Sequence, residues 1–128
     1  MIEIIANPFP THAALRALWS DAWGRAGPDS FEPVLKRSLA HFGAFDGPAL
    51  IGFVNVAWDG GGHAFVLDTC VAPAYRRLGV ATRLIAAARQ AALVAGAEWL
   101  HVDFEPHLAT FYAKCGFVPS AAGLIKLR

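Results

Sequence analysis

Cysteine is scarce in this chain. Cys70 and Cys115 are the two present, and they form no CxxC pair. That excludes a disulfide framework and a zinc knuckle, and it leaves small buried thiols in a reduced, cytoplasmic setting as the expectation. Without such a ligand set, no metal is expected. Charge is scarce as well: 16% of residues are charged, and 11 Lys and Arg against 10 Asp and Glu give a formal +1. Counterion-driven binding to a phosphate backbone needs a basic excess, so nucleic acid is not an expected partner. No apolar run is long enough to span a bilayer. The segment from Met1 to Pro8 lacks a basic stretch followed by an apolar one, so neither a membrane association nor a secretory signal is expected. Internal repeats, low-complexity tracts, a Gly-x-x-x-x-Gly-Lys-Ser/Thr loop and a Gly-x-Gly-x-x-Gly turn are all missing. A P-loop or dinucleotide-binding protein is therefore disfavoured.

What remains is a chain of 128 residues, 55% hydrophobic, with nine Phe and four Trp. That is enough for one domain, 1–128, with a sizeable core. Met1 to Ala6 reads as a strand stopped by Asn7-Pro8-Phe9-Pro10. Thr11 can cap a helix carrying Leu15, Leu18, Trp19 and Ala22 on one face, ended by Gly24. A second short helix after Ser30 would bury Phe31, Leu35 and Leu39. Three strands follow, at Phe42 to Phe45, Ala49 to Trp58 and His63 to Val71. Asp46-Gly47-Pro48 and Asp59-Gly60-Gly61-Gly62 separate them, which makes an antiparallel meander. A long helix from about Gly79 to Ala95 then leads, past Gly96, to a strand at Glu98 to Phe104. Strand, helix, strand implies a right-handed crossover to a parallel neighbour. Pro106 opens a last helix with Leu108, Phe111, Tyr112 and Cys115 in one stripe, and Phe117 to Arg128 reads as a bent strand pair.

The chemically informative stretch is Val71-Ala72-Pro73-Ala74-Tyr75-Arg76-Arg77-Leu78-Gly79-Val80-Ala81-Thr82. Here a strand ends and a helix opens. The first amides of a helix have no partner within it, and the macrodipole adds positive character, so such a turn can hold a pyrophosphate. Gly79 and Ala81 keep bulk away, Thr82 offers a hydroxyl, and Arg76 and Arg77 offer charge. An ordinary strand-to-helix turn with surface arginines has the same composition.

Arg76-Arg77-Leu78-Gly79-Val80-Ala81 resembles the acyl-CoA signature Arg/Gln-x-x-Gly-x-Gly/Ala of the GNAT acetyltransferases. Phe111-Tyr112-Ala113-Lys114-Cys115-Gly116-Phe117 resembles the later family block Tyr-x-x-x-Gly-Phe, in the expected order and separation. The resemblance implies an α/β fold: a mixed, mostly antiparallel twisted sheet flanked by helices, with a β-α-β acyl-CoA-binding core. It implies acetyl-CoA as co-substrate, with pantetheine bonding along the strand that ends at Cys70 and Val71. The pyrophosphate would lie on the turn from Arg76 through Leu78 and Val80 to Thr82. It also implies Tyr112 as proton donor to the departing thiolate, a role a neutral phenol can fill. Packing within the helix stripe is the plainer role for Tyr112, and the two are compatible.

Many members carry Asn where this chain has Glu105. A carboxylate accepts hydrogen bonds but donates none unless protonated, so Glu105 is read either as a helix cap or as a base. Asp68, in the strand leading to the turn, is the other candidate base, while Asp103, His101 and His107 are weaker ones. The implied activity is transfer of acetyl to a primary amine by direct attack in a ternary complex. The acceptor is a small molecule or peptide, and a homodimer is left open. Trp19, Trp23, Phe31 and Trp58 would give an apolar acceptor pocket if they do not simply pack. A non-catalytic acyl-CoA-binding or regulatory module is the alternative, because the turn argues for binding and the chemistry rests on other residues.

Overall fold

Two glycine-bearing turns fold the first half of the chain into antiparallel strands. In the computed structural model, which describes residues 1–128, β1 is Ile2–Ala6, β2 Ala40–Asp46, β3 Ala49–Trp58, β4 His63–Val71 and β5 Trp99–Val102. Gly47 takes a positive φ of 56° in the two-residue link between β2 and β3. Between β3 and β4, Asp59 Oδ1 accepts from the amides of Gly61 and His63 at 2.7 and 3.2 Å. The strands lie in chain order, β1-β2-β3-β4-β5. The first three pairings are antiparallel and the β4–β5 pairing is parallel. The expected mixed, mostly antiparallel sheet is the one that forms.

Helix α1 (His12–Trp23) starts where Thr11 Oγ1 accepts from the Ala14 amide at 3.1 Å, and it stops at Gly24 with φ 66°. Helix α2 (Glu32–Arg37) is a turn and a half. Helix α3 (Val80–Ala95) makes the crossover from β4 to β5 and ends on Gly96 at φ 93°. It buries Val80, Leu84, Ile85, Ala88 and Ala92 against β2, β3 and β4. Gly52 makes this seat possible, since a Cβ there would lie 3.1–3.2 Å from Ala44, Leu84 and Val80. By register, Ala44, Val54, Val56 and Val66 share that face, and His41, Phe53 and Asn55 point to the other. Helix α4 (Ala109–Lys114) follows a 3₁₀ turn at Pro106–Leu108.

On the face away from α3, His41 is 1% exposed and organises the entry to α1. Its Nε2 accepts from the Phe9 amide at 3.0 Å, while its own amide donates to Asn7 Oδ1 at 3.0 Å. Accepting at Nε2 requires the neutral ring, and burial pushes its pKa below the usual histidine range. A histidine whose folded pKa is lowered stabilises the fold above the unfolded pKa, ordinarily near 6.5, and that stability is lost as pH falls through the folded value. We expect the melting temperature to drop as pH falls below about 6.5. His41→Gln, which retains a side-chain acceptor, should flatten that dependence in a pH series of melting curves.

The strand expected at Glu98 to Phe104 is limited to Trp99–Val102, and the helix expected from Pro106 opens as the 3₁₀ turn and becomes α-helical at Ala109. Two further segments differ from the sequence expectation. Strand β2 begins at Ala40 rather than Phe42, because Ala40 and His41 pair with Val56 and Asn55. Phe117 to Arg128 forms no strand pair. Pro119 removes an amide from any ladder there and holds Val118 extended, and the segment finds no partner strand within its own chain.

Candidate functional site

Strands β4 and β5 stay paired only from His63/Trp99 to Val66/Val102, although β4 continues to Val71. Beyond Val66 the two strands part, and the β5-facing side of β4 borders a gap. A β-bulge sits at the mouth of this gap. Phe53 pairs with Cys70 and Asn55 with Leu67, which sets Asp68 and Thr69 against Val54 alone. Asp68 takes φ 57°, a conformation that aspartate tolerates better than most residues. Partial burial raises its carboxyl pKa above the ordinary value. Thr69 Oγ1 is buried without a hydrogen-bond partner. Cys70 is pushed up to about 12, first by burial and then by the Asp68 charge, with Arg76 opposing. At neutral pH this thiol is protonated and is no nucleophile.

The Ala72 amide donates to the Ile51 carbonyl at 2.8 Å. Strand alternation therefore turns the Val71 backbone away from β3, toward the gap. A 3₁₀ turn at Pro73–Tyr75 follows, anchored where the Tyr75 hydroxyl donates to Asp46 Oδ2 at 2.6 Å. Arg76 is engaged by the protein: Nη2 donates to the Ala22 carbonyl at 2.9 Å and Nε to the Val71 carbonyl at 3.4 Å. Its charge thus rests at the C-terminal end of α1, beside the turn rather than projecting freely from it.

Arg77 and Gly79 both have positive φ, 64° and 78°. The first amide of this segment bonded to a backbone carbonyl is that of Arg83, donating to Gly79 at 3.1 Å. Every amide from Arg77 through Thr82 has no acceptor in the protein, and the turn is solvent-exposed up to the buried Val80 side chain. Free amides beside alternating backbone conformations, at the N-terminus of a 16-residue helix, are the kind of concavity that can hold an anion. Open space surrounds the position of a Cβ on Gly79, and Leu78 is turned outward, so the backbone is accessible.

Tyr112 reaches the gap from α4. Its ring stacks on Phe104 at 4.8 Å and meets Phe111 and Phe117 edge-on at 4.9 and 5.7 Å. Burial raises its pKa, and the neighbouring Thr69 hydroxyl pulls the other way. Thr69 lies near enough to influence the phenol yet makes no hydrogen bond of good geometry with it. The fold thus brings Thr69 and Tyr112 together where the strands part, with Asp68 next to Thr69 in the bulge. Sequence reading missed Thr69, because the bulge breaks the alternation that would have assigned it a face.

Glu105 is exposed and extended. Its carbonyl accepts from the Leu108 amide at 2.9 Å, but its side chain makes no cap bond, so the expected side-chain cap is not formed. Asp103 and His107 are exposed, and His101 shares a 2.7 Å ring-nitrogen contact with His63. Trp19, Trp23 and Phe31 cluster, with Trp19–Trp23 at 4.3 Å and Trp19–Phe31 at 5.5 Å. Trp58 does not join them. It lies at the far end of β3, where its Nε1 donates to the Gly61 carbonyl at 2.8 Å. A cavity of about 390 Å³ opens beside α2, lined by Phe9, His12, Phe31 and Leu35 among others.

The sequence pattern of the Acetyltransferase (GNAT) family matches residues 5–117. No curated relative matches the chain. Among solved structures, a GNAT-family acetyltransferase from Streptococcus pneumoniae superposes with TM-score 0.85 at 25% identity, over 100% of this chain and 98% of that one. An aminoglycoside N-acetyltransferase in complex with CoA superposes with TM-score 0.80 at 22% identity, over 100% and 95%. Glucosamine-6-phosphate N-acetyltransferase from Arabidopsis thaliana gives 0.78 at 12%, over 98% and 97%. This chain belongs to the GNAT acetyltransferase family.

Proposed function

We propose that the whole chain, 1–128, is one cytoplasmic acetyltransferase domain that moves acetyl from acetyl-CoA to the primary amine of a small molecule. The observation that carries this reading is the run of unpartnered amides from Arg77 to Thr82 at the start of α3, directly after the parted end of β4. Those amides suit a pyrophosphate, the Val71 backbone suits an amide-bearing pantetheine arm, and Arg77 adds an exposed cation. When bound there, acetyl-CoA supplies a thioester activated for acyl transfer. The residues at the gap supply the proton transfers. Asp68, with its raised pKa, is better matched than an ordinary carboxylate to taking a proton from an ammonium acceptor. Tyr112 stays protonated and can donate to the departing sulfur. With the Cys70 thiol held neutral, direct attack by the amine is favoured over an acyl-cysteine route. The acceptors named for the two structural relatives, an aminoglycoside and glucosamine-6-phosphate, are small amines. A non-catalytic acyl-CoA-binding module would use the same turn without the proton-transfer groups.

An acceptor screen across aminoglycosides, amino sugars, polyamines, amino acids and peptide N-termini, followed by thiol release, tests the reading. Release with none of them, from protein that binds acetyl-CoA, would favour the binding module.

Asp68 gives a sharper expectation. A carboxyl with raised folded pKa stabilises the fold below the unfolded pKa, and that contribution is lost as pH rises through the folded value. At neutral pH the ionised Asp68 is therefore a stability cost kept at the site. Asp68→Asn, which suits the positive φ, should raise the melting temperature at pH 7, with the gain shrinking at acidic pH. The same variant should lower turnover and remove the acidic limb of the pH–rate profile. If Asp68→Asn leaves that limb in place and only the Glu105→Gln variant removes it, Glu105 is the base.

A further inference from the structure

We infer that His63 and His101 form a two-histidine site for a divalent transition-metal ion, on the face of the β4–β5 pair opposite the buried Ala64 and Val66. Both histidines are exposed, and 38 residues separate them in the sequence. The parallel register sets His63 against Trp99 and Phe65 against His101, so the two imidazoles are diagonal neighbours on one face. His63 Nδ1 and His101 Nε2 meet at 2.7 Å, with ring centroids 5.0 Å apart and planes tilted by 38°.

Imidazole nitrogens are donors that suit zinc, nickel and copper ions, whereas magnesium takes oxygen. Two nitrogens bound to one ion at about 2.0–2.1 Å, with roughly 90–109° between them, stand about 2.9–3.4 Å apart. The ring centroids of such a chelate lie about 4.5–5.2 Å apart. The 5.0 Å spacing already meets that requirement, so an ion asks the rings to turn and not the strands to move. Phe65 lies against the His101 ring at 4.5 Å and 17°, which limits how far that ring can swing away.

Charge around the pair favours a cation. Asp59 Oδ1 accepts from the His63 amide at 3.2 Å, which puts a carboxylate beside the site. The Glu98 amide donates to the Gly62 carbonyl at 2.9 Å, so a second acidic residue adjoins His63. No third His, Cys, Asp or Glu converges with the two rings, and water completes the coordination. Ligation needs a lone pair on each facing nitrogen, with the protons on His63 Nε2 and His101 Nδ1. Binding therefore exchanges the hydrogen bond between neutral rings for two metal bonds and moves its proton to the far nitrogen of the same ring. His41 and His12 do not compete, since His41 is buried against the Phe9 amide and both His12 ring nitrogens are buried. The bound ion ties β4 to β5 just before their pairing ends at Val66 and Val102.

The test is calorimetric titration of the full chain with Ni²⁺, and with Mg²⁺ as control, for wild type, His63→Ala and His101→Ala. One Ni²⁺ should bind at this site and Mg²⁺ should not. Loss of either histidine should weaken Ni²⁺ binding about 10²-fold or more, the usual gain from linking two donors. Bound Ni²⁺ should also raise the melting temperature and slow hydrogen exchange at residues 99–102 in wild type and in neither variant. Should the variants fail to fold, ring-proton NMR of the wild-type chain decides: substoichiometric Ni²⁺ must broaden His63 and His101 together, before His107. Equal Ni²⁺ affinity in wild type and either folded variant, broadening of one histidine alone, or no binding by wild type would each overturn the inference.

Discussion

Replacing Tyr112 with Phe should lower turnover roughly 10²-fold, the usual size of a general-acid contribution, while acetyl-CoA affinity changes little. The substitution removes one oxygen. The ring should keep its contacts with Phe104, Phe111 and Phe117, so the fold should survive. Thr69 Oγ1 would lose its polar neighbour, a small cost for a hydroxyl already without a hydrogen bond. Because burial raises the Tyr112 pKa, the phenol is the form present at neutral pH, and donation rather than abstraction is its available role. The discriminating measurement compares acetyl-CoA with a thioester of a more acidic thiol. A better leaving group needs less protonation, so its rate should fall less in the variant. Equal losses would indicate that Tyr112 positions the thioester. An unaltered rate would remove Tyr112 from the mechanism.

Gly79→Glu should weaken acetyl-CoA binding by two orders of magnitude or more, about 2.7 kcal/mol on the binding scale. The glutamate places a negative charge among the amides expected to hold the pyrophosphate, and it fills the open space above the turn. It also adds strain, since φ at this position is 78° and a side chain there costs about 1–2 kcal/mol. Gly79→Asn keeps a side chain of similar polarity but removes the charge and most of the strain, because Asn tolerates the left-handed conformation. The Asn variant should fold nearly as well as the parent and lose far less affinity than the Glu variant, as read by calorimetric titration with CoA. Matching losses in the two would mean that side-chain bulk at this position, and not the glutamate's charge, is responsible.

Much of this architecture was legible in the sequence because local signals and packing agreed. Thr11, Gly24 and Gly96 cap the helices they were expected to cap, and the two turns built the meander. The free amides of the turn before α3 were legible because their freedom follows from being at a helix start. The local geometry of Asp68 and Thr69 was not. Asp68 and Thr69 lie in a bulge, and a bulge depends on how Phe53 and Asn55 pair across the sheet, which no local pattern in β4 records. Arg76 looked like a phosphate ligand because its charge is visible in the sequence while its partner, the Ala22 carbonyl, is fixed only by the fold. Trp58 looked like pocket lining for the same reason: the sequence shows the indole but not the Gly61 carbonyl that holds it away. The C-terminal strand pair failed because alternation signals a strand's tendency without naming the strand it meets.

Transfer itself is the most direct measurement. Protein, acetyl-CoA and each small amine of the acceptor screen would be incubated together, with thiol release and acceptor mass followed in the same sample. At least one amine should gain a single acetyl group, in step with thiol release and dependent on Tyr112. Acetyl-CoA bound on the Arg77–Thr82 turn with no acetylated amine and no thiol release would contradict the catalytic reading.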